Sequence, residues 1–341
     1  MRNMRLWSSV LISAFFLWLA LRGQDLTQTA RSLADAHYGY VLPALALYFT
    51  GVWVRALRWR VLLSPMGRFP VSSLFPVVVI GYMANDVLPA RMGEVVRVYV
   101  LSQRERIPKA SALGTVVVER LLDATTMLLL LAAGAVLVPL NGAIERVALV
   151  AGGLLFVGLW PLALLVMWPE RVLGLLSPVT GRLPDSVLAR LEGAGGSFLA
   201  GLRVVRSQRV LGLGFALSVV AWLFEAGMYW ILAVAFDLQV GAAIILLTLA
   251  VTNLATLVPA APGYVGSFEV GALLVLVGLV GINRELATGY VLVLHAVLVL
   301  PVTLWGFYYW STHHLSLHRM RGGHAGAGSP PASSMEVRPV D

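Results

Sequence analysis

The segment NDVLPARMGE, residues 85–94, interrupts an apolar stretch that runs from residue 71 to residue 101. A second segment, PAAPGYVG at residues 259–266, interrupts the apolar stretch 242–280. Proline and glycine at this density end helices. Each stretch is therefore predicted either to cross a membrane once and continue as a short segment, or to form a hairpin that enters and leaves on one side.

The composition of the 341-residue chain indicates a membrane protein. Hydrophobic residues make up 59% of it and charged residues 12%, a charged share about half that of a soluble domain. The chain has no cysteine, which excludes a disulfide framework, a thiolate zinc site and a cysteine nucleophile. The net charge of +8 does not indicate nucleic-acid binding, because the basic residues lie between apolar runs and form no stripe. The predicted fold class is an all-α polytopic membrane protein.

Six further apolar runs approach or exceed the ~20 residues that a helix needs to cross the hydrocarbon core. They are 6–21, 41–59, 110–137, 147–168, 210–236 and 286–310. The first run has the layout of a cleaved signal peptide, but its end is a poor small-x-small cleavage site and many spans follow it. A retained first helix is therefore the prediction.

The arginines favour hairpins at the two breaks. Basic clusters at 55–68 and 97–109 flank the first break, and a single crossing would place one of them outside, against the positive-inside rule. The predicted topology is six full crossings plus two opposed re-entrant hairpins, within a membrane domain at 1–318 and with both termini cytoplasmic. Residues 169–209 are predicted as a cytoplasmic linker with surface helices, and 319–341 as a disordered tail.

An offset of 175 residues aligns the two broken stretches and the long helices after them. The aligned pairs are Glu94 with Glu269, Gly114 with Gly289, and Arg120 with His295. By the charge argument, the copies at about 41–137 and about 210–311 have opposite orientations. Inverted repeats with broken helices at membrane depth are typical of secondary transporters. The sequence therefore predicts an inverted internal repeat with a substrate site between its halves.

Ionisable residues inside the predicted spans are candidate site residues, because an Arg, Lys or Asp at mid-membrane costs roughly 2.5–3.5 kcal/mol on insertion scales. Glu119, Arg120 and Asp123 lie on one long helix, either as a structural ion pair or as the wall of a cavity that holds a charged headgroup. At the first turn, the planar fork of Arg91 suits a phosphate oxygen, or else it pairs with Glu94.

The second turn offers backbone N–H groups at Gly263, Gly266 and Ser267, either as an anion nest or for tight turning alone. His295 is either a satisfied core residue or a proton relay. The predicted substrate-binding residues are Asn85, Arg91, Glu94, Arg120, Gly263, Gly266 and Ser267. Those predicted to balance charge or couple protons are Glu119, Asp123, Glu225, Glu269 and His295. The sequence contains no catalytic motif, and we predict no metal site and no cofactor.

Three ordered motifs carry a family resemblance: NDVLPARMGEVVR at 85–97, SALGTVVVERLLD at 111–123 and PAAPGYVGSFE at 259–269. Together they resemble the flippase-like transmembrane domain of lysylphosphatidylglycerol synthases, over about residues 5–315. In those synthases the domain is implicated in moving the aminoacylated lipid across the bilayer, and a soluble aminoacyl-transfer domain follows it. No part of this sequence corresponds to that soluble domain, so we expect no lysyl transfer.

The resemblance and the buried charges together predict a flippase of the inner, cytoplasmic membrane that exposes a polar cavity alternately to either side. Arg91 and Arg120 would contact the anionic headgroup of a lipid of the phospholipid, prenyl-phosphate or hopanoid type. A separate biosynthetic enzyme is a second candidate partner. The alternatives are a membrane subunit or intramembrane enzyme of a lipid-modification or glycolipid pathway, and a purely structural scaffold.

Overall fold

The computed structural model describes residues 22–88, 92–138, 167–174, 185–202, 207–256 and 262–312, with isolated positions at 15, 18, 152–153, 157, 160–161 and 163–164. Helices and turns make up this part of the chain. In order, the helices are α1 Leu26–Asp35, α2 Val41–Leu63, α3 Val71–Val87, α4 Gly93–Glu105, α5 Lys109–Leu137, α6 Pro169–Gly174, α7 Asp185–Leu202, α8 Gln208–Ala235, α9 Ala242–Ala255, α10 Ser267–Leu276 and α11 Arg284–Thr312.

Within the described residues, four helices are long and apolar enough to cross a membrane: α5, α8, α11, and α2 with the short 3-10 turn that precedes it. They coincide with four of the six predicted spans. The other two predicted spans, 6–21 and 147–168, lie largely outside the described residues, as does the predicted tail. The all-helical prediction is confirmed for the described part, whereas the number of crossings stays a prediction.

The first broken stretch forms an antiparallel pair of short helices, α3 and α4. Gly81 lies against Arg97, and the Gly93 N–H donates a 2.7 Å hydrogen bond to Asn85 Oδ1. Leu88, the residue before Pro89, is already extended with φ −98° and ψ 143°. Proline disfavours the helical region for the residue before it, which explains why α3 ends here. The turn residues 89–91 lie outside the described part.

The second broken stretch forms the corresponding pair, α9 and α10, in which Gly271 packs against Thr252 and Ala255. Residues 257–261 lie outside the described part, and Gly263 and Gly266 then turn the chain into α10 with φ of +73° and +91°. Glycine adopts such angles without the steric cost that a side chain brings. Both breaks therefore give two short helices packed on each other, neither of which is as long as a full crossing.

The two predicted repeats contact each other reciprocally. Helix α2 packs antiparallel on α8, as the contacts of Gly51 with Ala221 and of Gly214 with Leu62 show. Helix α3 packs on α11, and α9 packs on α5, so the first arm of each hairpin lies on the last long helix of the other half. Two inverted copies would make this pattern of contacts, and the repeat itself stays a prediction.

The predicted linker contains α7, which packs tightly on the beginning of α5. Gly114 and Gly201 face each other where these helices cross, and Ser111 Oγ donates a 2.7 Å hydrogen bond to the Ser197 carbonyl oxygen. A side chain at either glycine would meet the backbone of the other helix. This part of the linker is therefore attached to the helix bundle.

Helix α1, which was not among the predicted elements, packs on the beginning of α11. Asp25 caps it by accepting hydrogen bonds from the backbone N–H groups of Gln28 and Thr27, which lower the pKa of the Asp25 carboxyl group. Gln24 Nε2 donates a 2.8 Å hydrogen bond to Thr288 Oγ1 of α11. The segment that precedes α2 is thus fastened to the second half of the chain.

Candidate functional site

The end of α3 meets the turn of the second hairpin inside the bundle. A Cβ atom built on Gly263 would lie 3.6 Å from the Asp86 carbonyl oxygen, and Thr303 Oγ1 donates a 2.8 Å hydrogen bond to Asp86 Oδ2. Beside this contact lies a cavity of about 170 Å³ that all four long helices and both hairpins line. Its polar lining consists of Tyr48, Arg55, Tyr82, Asn85, Asp86, Glu94, Arg120, Asp123, Trp222, Glu225, Tyr229, Asn253, Thr256, Tyr264 and His295.

Glu119 is the centre of a buried ion cluster behind the cavity wall. Arg97 binds it with both guanidinium nitrogens, at 2.7 Å to Oε1 and 2.8 Å to Oε2. Arg120 donates to the same Oε1 at 2.7 Å, and Arg58 Nη2 lies 3.3 Å from it. A buried carboxylate is tolerated when paired and hydrogen-bonded in this way. Glu119 therefore joins α2, α4 and α5 at one point.

Asp123, one turn further along α5, extends the cluster toward α8. Arg58 binds it with both guanidinium nitrogens, and Arg120 Nη2 lies 3.2 Å from Oδ2. The indole N–H of Trp222 donates a 3.0 Å hydrogen bond to Oδ1, and Arg58 also donates to Ser218 Oγ at 2.7 Å. The cluster thus includes residues of both predicted halves.

A separate ion pair links the first long helices of the two halves. Arg55 of α2 donates a 2.6 Å hydrogen bond to Glu225 of α8, and its guanidinium carbon lies 4.6 Å from the centroid of the Trp222 ring. Arg97 stacks in the same way on Trp59, at 3.8 Å. Cation–π contacts of this kind are strongest where water is excluded.

The charges of the cluster and of the separate Arg55–Glu225 pair balance. The four arginines Arg55, Arg58, Arg97 and Arg120 stand against Glu94, Glu119, Asp123 and Glu225. The side of the membrane on which the two basic clusters lie stays a prediction. Arg55, Arg58 and Arg97 of these clusters do not have exposed side chains. They are buried, because each has a carboxylate partner on another helix. Arg60, Arg68, Arg104, Arg106 and Lys109 remain exposed.

In the second hairpin, Glu269 and His295 form a buried pair with a 2.5 Å contact between Oε1 and Nδ1. His295 Nε2 lies 2.7 Å from the Gly263 carbonyl oxygen, and Glu269 Oε2 accepts a 2.6 Å hydrogen bond from the Gly266 N–H. The 175-residue offset aligns Glu94 with Glu269 and Arg120 with His295. In each half the two aligned residues are in contact, Glu94 with Arg120 and Glu269 with His295.

Comparison with known proteins places the chain among membrane proteins. The family described as lysylphosphatidylglycerol synthase TM region matches residues 6–306. The chain belongs to this family. A "UPF0104 membrane protein" of Methanothermobacter thermautotrophicus is 27% identical over 274 residues, covering 77% of this chain and 79% of the relative. The "Glycosyltransferase AglD" of Haloferax volcanii is 26% identical over 331 residues, 87% of this chain but only 52% of that protein.

In this member of the lysylphosphatidylglycerol synthase TM-region family, six of the twelve predicted site residues line one cavity. Of the substrate-binding candidates, Asn85, Glu94 and Arg120 line it. Gly263 meets Asp86 at its edge, whereas Ser267 Oγ donates to the Tyr264 carbonyl oxygen. The Gly266 N–H, predicted to bind an anion, is used instead by Glu269. Arg91 lies outside the described residues.

The charge-balancing candidates divide into two groups. Asp123, Glu225 and His295 line the cavity, whereas Glu119 and Glu269 stand behind it. Arg55, Asp86 and the tyrosines that line the cavity were not among the predicted site residues. Arg55 and Arg58 lie three residues apart and therefore share one face of a helix. This spacing was the sequence feature that could have indicated that both arginines pair with carboxylates on neighbouring helices.

Proposed function

We propose that the protein moves an amphiphilic lipid across the cytoplasmic membrane by exposing the central cavity alternately to either side. The observation that carries this proposal is the meeting of two broken-helix hairpins at a cavity lined by ionised side chains inside an apolar bundle. Charges at membrane depth mark pathways for polar substrates, and broken helices between inverted halves are the usual site of secondary transporters. The proposed halves are residues 41–137 and 210–311.

Arg120 is the proposed contact for an anionic headgroup. Its side chain is 38% exposed, and its contact with Glu94 is the longest of its three, at 3.7 Å against 2.7 Å to Glu119 and 3.2 Å to Asp123. A phosphate entering the cavity would replace Glu94 as a partner, while Glu119 and Asp123 hold the guanidinium in place. Arg91, in the first turn, is proposed as the second phosphate contact.

The apolar chains of the lipid would lie in an aromatic groove outside the cavity. The groove, formed by α2, α3 and α11, has a volume of about 420 Å³. It is lined by Ala46, Phe49, Thr50, Trp53, Phe75, Trp305 and Tyr309. Tyr48, which lines the cavity, has its ring 5.3 Å from that of Phe49, so the polar and apolar sites are neighbours on one helix.

Replacing Arg120 with alanine is expected to slow lipid movement by at least about tenfold, since a hydrogen bond to a charged group contributes ~1.5–3 kcal/mol. The measurement uses purified protein in liposomes that contain fluorescent anionic, zwitterionic or prenyl-phosphate lipids, with leaflet exposure followed with and without a pH gradient. The matched control is Arg60→Ala, an exposed arginine of α2. Folded Arg120→Ala protein that moves lipid at the wild-type rate would contradict the site assignment.

Filling the aromatic groove is expected to slow movement of long-chain lipids several-fold while leaving the fold intact. Ala46 is exposed at the groove, so Ala46→Trp would occupy the space proposed for a hydrocarbon chain. Leu42→Trp places the same side chain one turn away on the same helix, at a 74% exposed position outside the groove. The two variants are compared in the liposome assay, and equal rates would refute the role of the groove.

A second candidate function is a membrane subunit or intramembrane enzyme of a glycolipid pathway. The observation that favours it is the similarity to a protein named as a glycosyltransferase, of which this chain matches about half. Turnover of a lipid-linked sugar by the purified protein, or copurification with a catalytic partner, together with no lipid movement, would support it. In both cases we propose that the termini and the exposed basic helix ends face the cytoplasm.

A further inference from the structure

We infer that Glu269 and His295 form a binding site for one proton, and that this proton holds the turn of the second hairpin in place at the cavity. The inference deepens the proposed function, since it assigns a coupling ion to the same cavity. It rests on the hydrogen-bond geometry of three groups: the Glu269 carboxyl, the His295 imidazole and the Gly263 carbonyl.

The contacts of the imidazole ring fix the number of protons in the site. The Gly263 carbonyl oxygen can only accept, so His295 Nε2, at 2.7 Å, carries a hydrogen and donates it. The 2.5 Å contact of Nδ1 with Glu269 Oε1 needs one further hydrogen between the two atoms. Either an imidazolium faces a carboxylate or a neutral imidazole faces a carboxylic acid, and the proton count is the same.

Removing that proton would leave one hydrogen on the ring for two acceptors, Glu269 Oε1 at 2.5 Å and the Gly263 carbonyl oxygen at 2.7 Å. The ring has little freedom to turn away, because it stacks on Phe268 at 4.3 Å. One of the two contacts must therefore break on deprotonation, since the ring nitrogen without a hydrogen and the oxygen that it faces are both acceptors and repel each other. The remaining contacts of both side chains would change with it.

Those remaining contacts hold the turn. Glu269 binds the Gly266 N–H and His295 binds the Gly263 carbonyl, one at each end of the segment 263–266, in which three of the four residues have a positive φ. One of the three is Tyr264, a non-glycine residue at φ +59°. Such a conformation is unfavourable for a residue with a side chain and persists only when its surroundings impose it. Loss of the proton thus releases a strained turn from its contact with Asp86.

Other charged groups face the same cavity, but they have partners of their own. Asp86 of α3 faces the site and accepts from Thr303. The ion-paired residues belong to α2, α4, α5 and α8, and the phenol groups to α2, α3, α8 and the turn. The titratable and charged cavity-lining groups are Tyr48, Arg55, Tyr82, Asp86, Glu94, Arg120, Asp123, Glu225, Tyr229, Tyr264 and His295. Glu269 is the carboxyl group in direct contact with His295.

Amide hydrogen exchange of the turn tests the inference without any lipid movement. In wild-type protein in lipid nanodiscs, corrected for the intrinsic pH dependence of exchange, opening of residues 262–267 is expected to rise by about tenfold or more as pH increases. Glu269→Gln is expected to show no such rise. Its amide group does not titrate, and it can donate to Nδ1 of the neutral ring while it accepts from the Gly266 N–H.

The matched control is His37→Gln, which removes an exposed histidine whose Nδ1 lies 3.8 Å from Asp237 Oδ2. This variant should keep the wild-type pH dependence of hydrogen exchange in residues 262–267. If Glu269→Gln does not fold, His295→Gln replaces it, because it also removes the shared proton and should give a flat profile. A wild-type profile without pH dependence, or a variant profile that rises like the wild type, would overturn the inference. If the protein does not transport lipid but hydrogen exchange of the turn depends on pH as expected, the proposed function is contradicted and the inference about the proton is not.

Discussion

Replacing Glu119 with alanine is expected to destabilise the bundle by about 3–5 kcal/mol, the usual cost of leaving buried charges without their partner. Arg97 would lose both of its hydrogen bonds to the carboxylate, and Arg58 and Arg120 would lose one contact each. The free energy of unfolding is measured by denaturant titration in detergent micelles, with helix content followed by circular dichroism.

Two further variants separate charge from volume at Glu119. The exposed carboxylate of Asp35 is the control, and Asp35→Ala should change stability by no more than about 0.5 kcal/mol. The double variant Arg97→Met with Glu119→Met should recover part of the loss, because apolar replacement of a buried ion pair is often neutral or stabilising. A loss of less than about 1 kcal/mol in the free energy of unfolding for Glu119→Ala would contradict this prediction. It would mean that water or other side chains replace the carboxylate as partner of the arginines.

Replacing Gly93 with alanine is expected to disrupt the first hairpin. A Cβ atom there would collide with the Gly81 carbonyl oxygen and with Asn85 Oδ1, the groups that α3 presents to the beginning of α4. Overpacking typically costs about 1–3 kcal/mol, and more where the obstacle is backbone. Because Asn85 and Glu94 line the cavity, lipid movement should fall to background together with the melting temperature.

The control for this substitution is Gly212→Ala on α8, where a Cβ atom would have nothing within 4 Å. It should stabilise the protein slightly, since alanine is favoured over glycine in a helix by about 1 kcal/mol. Gly93→Ala protein that keeps both the wild-type melting temperature and the wild-type transport rate would show that α3 and α4 separate freely.

Local patterns in the sequence determined the class of the protein and much of its framework. Hydrophobic length predicts α2, α5, α8 and α11, because a crossing helix needs a long apolar run whatever its neighbours are. Proline and glycine predict both breaks, because their effect on backbone angles is local. The offset of 175 residues aligned Glu94 with Glu269 and Arg120 with His295, with no statement that Glu94 contacts Arg120 or that Glu269 contacts His295.

Which charges meet was decided by the tertiary structure alone. Arg58 pairs with Asp123 across 65 residues of sequence, and Arg55 with Glu225 across 170. The spacing of Arg55 and Arg58 places both on one helix face, but it does not tell which carboxylate on another helix each of them meets, and the exposed Arg60 lies only two residues further on. The Gly266 N–H was likewise available to an anion in the sequence but not in the fold, where Glu269 accepts it. Pairing depends on which helix faces pack together, and packing of distant segments leaves no periodic signal at either position.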